Sequence, residues 1–393
     1  MEKAVRRIGV FTSGGDAPGM NAAIRAVVRT SLHMGIECVG IRRGYHGLIN
    51  GDFTKLTFES VSDLSRRGGT MLYSARSEEF KTPAGQERAV ATCKMLGLDA
   101  LVGIGGDGTF SGLLCLAKRG LSVVGIPGTI DNDIAITDHT PGYGSAARFI
   151  AASTAEVGAD VRALPIHVCV MEAMGRNAGW ITAASALARK KPGDAPHLIY
   201  LPERPFHEEE FLEDVKRLYE EKGGVVVVAS EGLKNEKGEP IVPPVFKAGR
   251  AAYYGDVSAY LANLVIQKLG IKARSEKPGL CGRASIAWQS PVDREEAVLA
   301  GREALRTAMA GGSGVMIGLI RDENEDGGYH VHTSAIPIKE VMLHERVLPD
   351  EYINDRGNDV TGAFLEWCRP LIGPELRDFV DFKEEYEKMG VGK

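Results

Sequence analysis

The chain has 393 residues, more than one ordinary hydrophobic core accommodates and enough for two α/β domains. With 44% hydrophobic and 25% charged residues and no polar low-complexity tract, it is globular rather than disordered. A formal net charge of −5 gives no global basic field for nucleic acid or an anionic membrane surface, so an anionic ligand must be met by local cations.

Short apolar runs ending in glycine or proline alternate with amphipathic stretches, a pattern that predicts βαβ repetition and mainly parallel sheets. A first strand falls at Ile8–Phe11, broken by Ser13-Gly14-Gly15-Asp16 before a helix from about Asn21 to Ser31. Ala100–Ile104 is a strand running into Gly105-Gly106-Asp107-Gly108-Thr109, with a helix from about Phe110 to Lys118 and a strand at Leu121–Ile126. A second block opens with a helix over Ala146–Glu156. A strand at His167–Met171, a helix from about Arg176 to Ala188 and a strand at Gly224–Ala229 follow. The polar stretch Gly232–Pro240 reads as a surface loop, Asp293–Met309 as an amphipathic helix and Gly314–Ile320 as a strand. A helical end is expected at Glu375–Met389.

No run of about 18 apolar residues occurs, and the apolar stretch near the N-terminus is too short for a signal sequence. The six cysteines form no C-x-x-C pair and match neither a zinc site nor a disulfide framework, which points to a reducing cytoplasm.

Three segments carry chemistry. Gly103–Gly108 formally contains G-x-G-x-x-G, a weak signal on its own. An aspartate inside that loop would repel a phosphate unless a divalent ion lies between them, so Asp107 is a candidate Mg²⁺ ligand. In Thr129-Ile130-Asp131-Asn132-Asp133, two carboxylates two residues apart call for a cation, or for one of them to take up a proton as a general base. An Asx-rich turn is the alternative. Met171–Trp180 puts Arg176 at an expected helix start, where it could meet a phosphoryl oxygen, and Arg76 is a similar case; for each, a surface ion pair is the alternative.

Taken together and in this order, these segments and Gly9–Asn21 resemble the 6-phosphofructokinase family over most of the chain, in its longer, mixed-donor branch. The resemblance implies two Rossmann-like three-layer α/β domains with the active site in the cleft between them. The nucleotide domain would comprise 1–141 plus about 282–337, and the sugar-phosphate domain 142–281 plus about 338–393. It implies that Gly15, Arg76, Ser77, Gly106, Asp107, Gly108 and Thr109 hold the nucleotide, with Asp107 serving Mg²⁺. Asp131 would be the base for the sugar's 1-hydroxyl, and Arg176 and Arg76 would stabilise the transferring phosphoryl group. Thr129, Asp133, Met174, Gly175 and Glu231 would contact the sugar, and Arg274 and Arg283 its phosphate side, Arg274 across a subunit interface. A homodimer or homotetramer is implied.

Pyrophosphate users of this family typically have Asp in place of Gly108 and Lys in place of Gly128, so the two glycines favour ATP. The chain departs from the family pattern on the acceptor side. A sugar-phosphate arginine becomes His167, and a histidine and a glutamine become Leu280 and Gly282, with Lys272, Lys277 and Arg274 as nearby cations. Fructose 6-phosphate is the expected acceptor, with another phosphosugar or a pyrophosphate donor as alternatives. An NAD kinase-like enzyme or a non-catalytic nucleotide sensor stands further off.

Overall fold

In the computed structural model, residues 5–164, 167–248, 251–322, 328–377 and 389–390 are described. Their strands are β1 (Arg7–Ser13), β2 (Glu37–Ile41), β3 (Phe53–Leu56), β4 (Ala100–Gly105), β5 (Val123–Pro127), β6 (Val168–Ala173) and β7 (Leu198–Tyr200). After these come β8 (Val225–Ser230), β9 (Pro244–Ala248), β10 (Ala251–Tyr254), β11 (Ala273–Glu276), β12 (Val315–Arg321) and β13 (Val331–Pro337). Seven form one sheet in the order β13-β12-β5-β4-β1-β2-β3, parallel except for its two edge strands. Four form a second, wholly parallel sheet in the order β11-β6-β8-β7, and β9 and β10 pair antiparallel as a separate two-stranded sheet.

The strands are apolar on both sides because both faces are covered. In β1, Ile8 and Val10 enter one core and Phe11 another; in β4, Val102 and Ile104 oppose Leu101 in the same way. In β8, Val226 and Val228 join the core shared with the first sheet, while Val225 and Val227 face a third core with Phe211 and Leu261. Period-two alternation into two packed layers accounts for the near-continuous valine run Val225–Val228. Both sheets are thus sandwiched by helices, as expected for an α/β protein with mainly parallel sheets.

Two expected helices differ in ways that bear on the site. The helix after β4 spans Asp107–Ala117, so Asp107 is inside its first turn rather than in the loop before it. The helix expected from Arg176 begins only at Trp180, as one α-helical turn to Ala184 continued by a 3-10 turn, Ser185–Ala188. Arg176 is therefore in a bend, four residues ahead of the helix, and its guanidinium gains nothing from a helix terminus. Gly175 causes the delay: its φ of +120° turns the chain sharply where a helix would have to start. The helical end expected at 375–389 lies almost wholly outside the described residues.

The segment after β13 crosses back over the molecule. Its short helix Gly362–Cys368 sets Phe364 and Trp367 against Trp180, Tyr143 and Tyr352 in one aromatic cluster. Among the described residues, no helix is long and apolar enough to cross a membrane.

Candidate active site

The carboxyl ends of β1, β4 and β5 lie side by side, and each ends in a turn. Gly105 must be glycine, because a Cβ there would stand 2.2 Å from the Ser13 carbonyl oxygen and 2.3 Å from Thr109 Oγ1. Thr109 is buried and its hydroxyl donates to Ser13 O at 3.1 Å, so its side chain closes the loop onto β1. A Cβ on Gly108 would meet nothing within 4 Å. On Gly128 it would press against Ile104 Cγ2 at 3.0 Å.

The turn after β5 is built by its own side chains. Thr129 Oγ1 accepts from the Asp131 N–H at 3.2 Å, and Thr140 Oγ1 donates to Thr129 O at 2.8 Å. Asn132, wholly buried at φ +55°, accepts from the Thr140 N–H at 3.0 Å; asparagine is among the few non-glycine residues that adopt this conformation readily. The effect is to hold Asp131 and Asp133 on either side of Asn132. Burial raises the Asp131 carboxyl above the usual range; Glu231 adds to this, and Arg283 and Arg176 oppose it. Burial, followed by the Asp131 charge, pushes Asp133 up to about 7. Asp107 is raised by burial and then by Glu345.

The loop after β6 is fixed from β8. Glu231 accepts from the Gly175 N–H at 3.3 Å and stands 3.8 Å from Arg176 Nε, while Ser230 Oγ donates to Gly175 O at 2.6 Å. Gly232 lets the chain pass: a Cβ there would lie 1.8 Å from the Arg176 carbonyl oxygen. Met174, half-buried, packs on the shared core.

The loop before Arg76 is pinned to the first helix, Met20–His33. Asn21 Nδ2 donates to Arg67 O and Gly69 O, its Oδ1 accepts from Met71 N, and Asp16 accepts from Thr70 N. Arg76 is exposed beyond this anchor, and Ser77 Oγ accepts from Phe80 N at 3.2 Å. The Arg283 guanidinium faces Gly15, its Nη2 3.5 Å from where a Cβ would sit, and its charge acts on both Asp16 and Asp131. Arg283 thus stands where the expected nucleotide and sugar sides meet.

Asp107, Asp131, Asp133, Arg176, Glu231 and Arg283 therefore converge. His167 and Arg274 do not join them in the same chain. His167 is buried just before β6, about 20 Å of strand from the Met174 end. Arg274 pairs with Cys169 at that same far end of the sheet. Lys277 is engaged 2.5 Å from Glu172, which also caps the helix Val257–Leu269. At the departures from the family pattern, Leu280 is 68% exposed. A Cβ on Gly282 would stand 3.2 Å from the Phe149 ring, leaving little room for a longer side chain. Sequence reading missed Glu345, whose charge acts on Asp107, Asp131 and Asp133. It lies in a stretch without motif or periodicity, so no local signal marked it.

The model of the family described as Phosphofructokinase matches residues 7–308. The ATP-dependent 6-phosphofructokinase 1 of Thermus thermophilus is 40% identical over 322 residues, covering 81% of this chain and 91% of that protein. The ATP-dependent 6-phosphofructokinase of Shouchella clausii is 45% identical over 230 residues, 58% of this chain and 70% of that protein. Among solved structures, the pyrophosphate-dependent phosphofructokinase of Marinobacter aquaeolei superposes with a TM-score of 0.85 at 28% identity, covering 96% of this chain and 94% of that chain.

Proposed function

The chain belongs to the phosphofructokinase family, and on that premise we propose that it transfers the γ-phosphoryl group of ATP to the 1-hydroxyl of fructose 6-phosphate, giving fructose 1,6-bisphosphate. The observation that carries this reading is that the Asp131–Asp133 turn and Asp107, at the adjacent ends of β5 and β4, are met by Arg176 from the loop after β6 and by Arg283.

Phosphoryl transfer asks the protein mainly for positioning and charge neutralisation. Asp131, its carboxyl raised by burial, is suited to take the proton of the attacking hydroxyl. Thr129 and Asp133 border the base, and Met174, Gly175 and Glu231 form the wall on the sugar side. Arg176, Arg76 and Arg283 supply positive charge for the phosphoryl oxygens. Gly15, Ser77 and the turn from Gly106 to Thr109 form the nucleotide side, where the open space at Gly108 admits the α-phosphate.

A divalent ion fits the donor set. Asp107 is a hard oxygen donor whose ionised form is disfavoured by burial first and by Glu345 second, and a cation beside it would relieve both. Such a site suits Mg²⁺, which keeps waters and phosphate oxygens as ligands. When bound, the ion neutralises charge on the β- and γ-phosphate oxygens.

The nucleotide domain is read as 1–141 with about 282–337, and the sugar-phosphate domain as 142–281 with about 338–393. Arg274, exposed on β11, would meet the sugar phosphate of a second copy, as a homodimer or homotetramer would allow, whereas His167 is too buried to reach one without a shift of the chain. The six free thiols suit a reducing cytoplasm.

A pyrophosphate donor is the second reading, favoured by the full-length likeness to the Marinobacter enzyme. Turnover of fructose 6-phosphate with ATP and with pyrophosphate, side by side and with a panel of other phosphosugars, tests both. A higher kcat/KM with pyrophosphate overturns the donor, and a higher one with another sugar overturns the acceptor.

A further inference from the structure

Residues 344–348 lie beyond the region that matches the family, yet they run between the two loops described above. Glu345 forms an isolated antiparallel bridge with Ile134, and the Arg346 N–H donates to Asp133 O at 2.7 Å. On the other side, Asn177 Nδ2 donates to Glu345 Oε1 at 2.9 Å, and Trp180 Nε1 donates to Arg346 O at 3.1 Å. Glu203 Oε1 accepts from both Gly179 N at 2.8 Å and Leu348 N at 3.0 Å, a third tie between the segment and the same loop. The Arg346 guanidinium is 4.2 Å from the Trp180 ring centre and 5.5 Å from that of Trp367, which seats the segment in the core.

We propose that Glu345 is a positioning residue for phosphoryl transfer, holding Asn177, and through it the Gly175–Arg176 bend, in register with the Asp131–Asp133 turn. The inference rests on the assigned reaction. Its physical basis is that Arg176 occupies a bend rather than a helix, so its place relative to Asp131 is set by side-chain ties, Glu231 and Ser230 holding the Gly175 side and Glu345 the Asn177 side. The base end is fixed through Ile134 and Asp133, the arginine end through Asn177, and one short stretch of backbone joins them. A side chain that fixes the distance between base and phosphoryl-binding arginine acts on turnover more than on nucleotide affinity.

Glu345 and Asn177 are both exposed, so truncating either does not leave a hole in the core. Glu345→Ala is expected to lower kcat about tenfold with KM for ATP within about twofold, and Asn177→Ala to do the same. The double variant falls no further than either single one, because both remove the same contact. Glu345→Gln keeps an oxygen acceptor for Asn177 and returns kcat to within about twofold of wild type. Hydrogen exchange of the amides at 175–179 quickens in both alanine variants and not in Glu345→Gln. Wild-type kcat in Glu345→Ala, additive losses, or a Glu345→Gln variant as impaired as the alanine one would each overturn the proposal. If the wild-type protein phosphorylates no sugar with either donor, the assigned reaction fails instead. The exchange measurement then still decides whether Glu345 orders the bend.

Discussion

Asp131 and Asp133 stand either side of a wholly buried Asn132, and it is Asp133 that is pushed up to about 7, by burial first and by the Asp131 charge second. An unfolded chain would release that proton at about 3.9. Between those two values the folded protein holds a proton that the unfolded one has lost, so this contribution to stability is complete below the unfolded value and is lost as pH rises through about 7. Asp133→Asn removes the buried charge. In Mg²⁺-free buffer its Tm is expected to exceed that of wild type at pH about 8 and to match it near pH about 4, where both side chains are neutral. An equal Tm difference at both pH values would count against the Asp133 assignment.

Asp131→Asn keeps the shape of the turn and its hydrogen bond from the backbone N–H to Thr129, but cannot accept the hydroxyl proton. Turnover is expected to fall at least about a hundredfold, with KM values changed far less. Steady-state kinetics with saturating ATP checks this, and near-full activity would remove Asp131 as the base.

Gly108→Asp is accommodated sterically, since nothing lies within 4 Å of the new Cβ. Its charge would face the phosphates, and kcat/KM for ATP is expected to drop about a hundredfold, or about 2.7 kcal/mol. Assays with ATP and pyrophosphate on the same preparation read the effect. Unchanged ATP kinetics would place the nucleotide elsewhere.

Gly232→Ala tests whether the Arg176 bend is placed from β8. The added methyl would lie 1.8 Å from Arg176 O, so the bend must shift. A loss of more than about tenfold in kcat is expected, because small misplacements of a positioning group are costly. Retention of wild-type kcat would show that the position of the Arg176 backbone is not critical.

Much of this was legible in the chain itself. The valine run at Val225–Val228 and the apolar run before Gly105 predict strands covered on both faces, and both are so. Gly105 and Asp107 mark a tight turn carrying a carboxylate, the candidate phosphate turn, because tight turns and carboxylates leave local marks in sequence. Arg176 was misread for an equally local reason: the apolar pattern of 178–188 continues smoothly into a helix, while the left-handed Gly175 that delays it is a backbone conformation no pattern records.

The sequence by itself determined the sheets, the glycine-lined turn and the residue types of a phosphoryl-transfer site, because strand periodicity and turn chemistry act over a few residues. Only the tertiary structure decided which of those residues meet. It set Arg283 against Gly15, removed His167 and Arg274 to the far end of the second sheet, and brought Glu345 between Asn177 and the Asp131–Asp133 turn. Those outcomes depend on contacts across more than a hundred residues of chain, such as Asn177 to Glu345, where packing rather than local propensity chooses the neighbour.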